Sequence, residues 1–116
     1  MTENKQTVER YMDGFRRSDH EKILACLTDD VEWILPGAFH LHGKPAFDAE
    51  IENPAFTGSP QVAVNRLTEE NDVVIAEGVV HARRNDGTQL VLAMCDVFEM
   101  RDHRIQRLTS YLMELK

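Results

Sequence analysis

From residue 61 to residue 114 the chain alternates apolar and polar residues, interrupted only by short turns, and this commits its second half to a sheet. The runs are Gln61 to Thr68, Val73 to Arg84, Thr88 to Met100 and Arg104 to Glu114. Between them stand Glu70-Asn71-Asp72, Asn85-Asp86-Gly87 and Arg101-Asp102-His103, the residue types that close hairpins. Such a meander must bury one face, and the first half of the chain offers the cover. Val8, Tyr11, Met12 and Phe15 recur at helical spacing, while Asp13, Arg16 and Arg17 fall elsewhere on the wheel. Ser18-Asp19-His20-Glu21 has the form of a capping box, opening a second short helix through Ile23, Leu24 and Leu27. Val31 to Leu35 reads as a short strand stopped by Pro36-Gly37. A loop holding His40 and His42 follows, then a third helix from Pro45 through Phe47 to about Glu52. Helices first and antiparallel strands afterwards indicate one α+β domain spanning residues 1–116.

One position breaks the pattern of the sheet. In the strand Leu90 to Met100, the residues Leu90, Leu92, Met94, Asp96, Phe98 and Met100 share a face. A carboxyl among five large apolar side chains must keep its proton or find donors, because an unpaired buried charge costs several kcal/mol or more, roughly. Tyr11, on the apolar stripe of the first helix, is an available partner, since a buried phenol also wants a hydrogen bond. On the neighbouring strand Val74, Ala76, Gly78, Val80 and Ala82 form an unusually small face. Either helix packing needs those small residues or they leave room for an apolar pocket. Trp33 and Leu35 on the first strand, with Phe15, Val80, Met94, Leu108, Ser110 and Leu112, are the expected wall. Most of them would be core in any fold. Ser110 is the polar member, though no His and Asp stand at a spacing that would make it a nucleophile.

Charge and composition narrow the partner. A formal charge of -7, with Lys and Arg scattered, argues against nucleic acid and anionic membranes and favours a small apolar molecule. No stretch is long and apolar enough to cross a membrane, and Met1-Thr2-Glu3-Asn4-Lys5-Gln6 lacks a signal-peptide core, so the cytoplasm is the expected location. Cys26 and Cys95 are too few for a disulfide framework. Glu77 and His81 lie ~13 Å apart along an extended strand, too far to share an ion, and neither a metal nor a cofactor is expected.

The chain resembles a known family through Arg10-Tyr11, Thr28-Asp29-Asp30-Val31, His42-Gly43-Lys44, Cys95-Asp96-Val97-Phe98 and Arg104-Ile105-Gln106. Their order and spacing are similar to the SnoaL-like and ketosteroid isomerase-like branch of the nuclear transport factor 2-like superfamily. The resemblance implies a cone-shaped barrel, a curved and mostly antiparallel mixed sheet wrapped around three helices, with an apolar cavity at one end and often a homodimer. It implies that Tyr11 and Asp96 occupy the two positions that hydrogen-bond a developing enolate oxygen, the carboxylic acid being held neutral by its apolar site. Counted without gaps, the isomerase's proton-shuttling Asp falls on Leu35, which cannot take up a proton; a shifted count falls on Glu32 or Trp33, and Glu32 belongs to the opposite face of the strand, so steroid isomerisation by that route is not expected. His42, with His40 beside it, is then the replacement base to consider, because imidazole titrates near neutrality, although a loop histidine is more often solvated. Limonene epoxide hydrolase chemistry would want an Arg two residues from the acid, where Met94 stands. A SnoaL-type cyclase, which relies on one pocket acid or base, is the leading enzymatic analogy, and a noncatalytic ligand-binding or sensing domain is the alternative.

Overall fold

In the computed structural model, which describes residues 1–116, the chain runs through α1 (Glu3–Arg17), α2 (His20–Leu24), β1 (Leu27–Leu35), β2 (Phe39–His42), α3 (Lys44–Ile51), β3 (Phe56–Glu70), β4 (Val73–Arg84), β5 (Gln89–Arg101) and β6 (Arg104–Glu114). The strands form one sheet in the order β2-β1-β6-β5-β4-β3. Only the β1/β6 pair is parallel. The sheet is open, with β2 and β3 as edges, and so does not close into the expected barrel.

Thr2 caps α1 by accepting from the backbone N–H of Lys5, and Ser18 ends it in the left-handed conformation, φ 50°. That use of Ser18 changes the start of α2. The cap is Asp19, whose carboxylate accepts from Lys22 N–H, and the capping box anticipated at Ser18 does not form. The buried side of α1 presents Val8, Tyr11 and Met12 to the sheet, where they meet Phe98, Leu108, Ile105 and Val74 in the core together with Phe47 and Ile23.

Two segments differ from the sequence expectation. β1 starts at Leu27, four residues early, because Leu27 and Val31 are both core side chains, while the register shift between Leu27 and Glu32 leaves Asp29 and Asp30 exposed. Residues 39–42 are a strand rather than a loop. They fold back on β1 with Leu35 opposite Phe39 and Glu32 opposite His42, which turns Phe39 and Leu41 inward and His40 and His42 outward. The meander holds its expected bounds for β4 and β6 and to within one residue for β5, and β3 is longer at both ends.

α2 is tied to α3 by one imidazole. His20 Nδ1 lies 2.5 Å from Asp48 Oδ1, and Nε2 lies 2.6 Å from Glu52 Oε2. The hydrogen bond to Asp48, then that to Glu52, raises the His20 pKa. A raised folded-state value stabilises below the unfolded pKa of ~6.5 and loses that stabilisation as pH rises through the folded value. His20→Gln should therefore lower the melting temperature at pH 5.5 and cost less at pH 8.5, read by paired thermal melts. An equal loss at both would show that the imidazolium contributes nothing.

Candidate functional site

β5 places Asp96 between Ala76 of β4 and Ser110 of β6, its Cα partners in the ladder. The residue is 7% exposed and its Oδ1 has no hydrogen-bond partner. Burial pushes the carboxyl up to about 7, against the opposing pull of the Ser110 hydroxyl. Desolvation wins because one neutral hydroxyl cannot replace the water a carboxylate has lost. Ser110 is itself held from the other side: Trp33 Nε1 donates to Ser110 Oγ at 3.1 Å, which leaves the hydroxyl hydrogen free to point towards Asp96.

Tyr11 is packed edge-on against Phe98 and Phe47 and beside Phe15, with ring centroids 5.3, 6.2 and 5.1 Å away. Burial first, and the charge of Asp96 second, raise its pKa well above the ordinary phenol range, so it is a neutral donor at neutral pH. No hydrogen bond joins it to Asp96. The aromatic contacts hold the ring, and Tyr11 and Asp96 line the same cavity.

That cavity holds about 130 Å³ and is lined by Tyr11, Met12, Phe15, Trp33, Pro60, Val62, Val80, Met94, Asp96, Ser110 and Leu112. Asp96 is its one ionisable acid. Sequence reasoning missed Met12, Pro60 and Val62; the i, i+2 spacing of Pro60, Val62 and Val64 was the available signal. Three other expectations need correction. Leu108 is fully buried and is not among the residues that line the cavity. Leu35 lies outside, in an open groove of about 600 Å³ between the turn at residues 36–38 and the end of β6; that groove shares Met94, Ser110 and Leu112 with the cavity. His42 is 69% exposed on the outer face of the sheet, 3.7 Å from Glu32, because β2 alternation turns it away. It is not brought to Asp96. A larger depression, about 810 Å³, runs between α1 and β3, but its wall carries Lys5, Glu9, Arg10, Asp13 and Arg16, and it contains no buried acid. Chemistry, not size, singles out the smaller space.

The model of the SnoaL-like domain matches residues 8–108. The chain belongs to this family. Among solved structures this SnoaL-like domain is similar to a candidate polyketide cyclase from Xanthomonas campestris pv. campestris, with 27% identity, 94% of this chain and 89% of that chain covered, and a TM-score of 0.86. It is also similar to an NTF2-like protein of unknown function from Burkholderia pseudomallei, with 22% identity, coverage of 97% and 92%, and a TM-score of 0.91. TerC, crystallised with polyporic acid, is 23% identical with coverage of 94% and 90% and a TM-score of 0.85. No curated protein matches. The SnoaL-like fold thus accounts for the architecture, and the chemistry must be argued from the cavity.

Proposed function

We propose that this SnoaL-like domain binds a small, largely apolar molecule carrying a carbonyl or phenolic oxygen, and that Asp96 and Tyr11 donate to that oxygen. The observation that carries the reading is the unpartnered Oδ1 of Asp96 within a mostly apolar cavity. A buried polar atom without a partner is costly in a native fold, roughly 1–3 kcal/mol, and a ligand oxygen would supply what the protein does not. At 130 Å³ the cavity admits the reactive end of a ligand, and the adjoining groove past Met94 and Leu112 has room for the remainder.

As a catalyst the site would work in the manner of an isomerase or cyclase that stabilises an enolate. An acid whose pKa is about 7 exists in both forms at neutral pH, so Asp96 could give and later recover one proton without a second base. The alternative is a noncatalytic binding or sensing domain, favoured by the lack of any second carboxylate or imidazole on the cavity wall.

Titration with 2-naphthol or an equilenin-like phenol, followed by Trp33 fluorescence, tests the proposal. Saturable quenching should weaken ~10-fold or more in Tyr11→Phe and in Asp96→Ala, one neutral-to-charged hydrogen bond being worth ~1.5 kcal/mol or more. Binding indifferent to both changes would make the two residues structural. Enolate chemistry is then read separately, as exchange of α-hydrogens of a bound ketone into deuterated water; binding without exchange would select the sensing alternative.

A further inference from the structure

On the outer face of the sheet, opposite the cavity, Glu32 of β1 meets His40 and His42 of the edge strand β2. Glu32 Oε1 lies 2.9 Å from His40 Nε2 and 3.7 Å from His42 Nδ1, and one atom from each of the three residues lies within 4.8 Å of the others. The two imidazoles stack with centroids 4.5 Å apart and planes inclined by 24°. Alternation along β2 puts both rings on one side, and the register pairs His42 directly with Glu32.

We infer that Glu32, His40 and His42 form a binding site for a divalent transition metal of the zinc class, clipping the edge strand β2 to β1. Two imidazoles and one carboxylate with an open fourth position are a recurrent zinc donor set. A tetrahedral ion with ~2.0 Å bonds wants its ligand atoms ~3.3 Å apart; the two distances to Glu32, 2.9 and 3.7 Å, straddle that value, and the ligand atoms of the two histidines lie within 4.8 Å of each other. The ion would take the place of the hydrogen now shared between His40 and Glu32, leaving His40 protonated on Nδ1.

The carboxylate is also held by a second contact. Arg107 Nη2 and Nε donate to Glu32 Oε2 at 3.0 and 3.3 Å, which fixes the carboxylate and leaves Oε1 towards the histidines. The guanidinium is a local positive charge, but Glu99 Oε2 also lies 3.9 Å from its Nε, so the neighbourhood is not cationic. His20, also flanked by acids, cannot compete: its two carboxylates bind opposite nitrogens of one ring and do not converge.

Calorimetric titration of the untagged protein with zinc chloride is the test, run beside H40A/H42A, E32Q and, as a control, H20A. A single zinc should bind with a dissociation constant of roughly 1–100 μM, weaken ~10-fold or more in E32Q and disappear in the double variant, with H20A unchanged. The melting temperature should rise with zinc in wild type and H20A, less in E32Q, and not at all in H40A/H42A. Both histidines are exposed on an edge strand, and circular dichroism establishes that the variants fold. Binding that persists in H40A/H42A, or no saturable binding below about 1 mM zinc, overturns the site.

Discussion

Replacing Asp96 with Asn should stabilise the protein at alkaline pH and flatten its dependence on pH. In the fold the carboxyl titrates at about 7, against 3.8 for an ordinary Asp, and that gap corresponds to ~4 kcal/mol. The sign follows from linkage. Folded chains hold this proton more tightly than unfolded ones, so the burial of Asp96 is tolerated below pH ~4, and the stability it allows is lost as pH climbs through ~7. Asn preserves the shape without the charge. Measured by urea unfolding, the variant should gain on wild type by about 2–4 kcal/mol between pH 4.5 and pH 8. The paired carboxylates elsewhere, such as Asp30 against Arg101, cancel in that difference because both proteins keep them. Parallel curves would mean that Asp96 titrates as an ordinary carboxyl and would remove the physical basis for a proton-transferring cavity. Stability gained together with ligand affinity lost is the signature of a group kept for function at the expense of the fold.

Gly78→Ala should cost ~3 kcal/mol or more and lower the melting temperature by roughly 10 °C. A β-carbon built on Gly78 would stand 2.0 Å from the carbonyl oxygen of Ala63 and 3.1 Å from the Cα of Val64, and neither backbone atom can swing aside. The crowding comes from a bulge: opposite Gly78 the register slips between Val64 and Arg66, and β3 presses into β4 there. In an ordinary strand the same change would be mildly favourable. The damage should reach the cavity, since the β3/β4 pairing also sets Val62 opposite Val80, and both line it. Weakened phenol binding at temperatures where the variant remains folded is the accompanying result. An unperturbed melt would mean that the bulge can slide along β4.

The small face of β4 therefore has a mixed origin. Val80 lines the cavity, as the pocket reading of that face wanted, but Gly78 is small because another backbone occupies its space. Periodicity along β4 could not distinguish the two, since both produce the same run of small residues.

Local pattern carried much of the architecture. Side chains on a strand alternate whatever the strand pairs with, so the shared face of Met94, Asp96 and Phe98 followed from spacing alone, as did the buried stripe of α1 and the three hairpins. The identity of a carboxyl on an apolar face was enough to single out Asp96. What the chain does with that carboxyl depended on register between distant segments. Trp33 reaches Ser110, 77 residues later, because β1 lies parallel to β6, and no local signal specifies that pairing. The same holds for Glu32, His40 and His42. They meet because residues 39–42 form an edge strand, and a four-residue strand beside Pro36-Gly37 carries too little periodicity to be told from a loop. Alternation is a property of the single strand, and it was decided by the sequence. Convergence of side chains is a property of pairing and burial, and only the tertiary structure decided it.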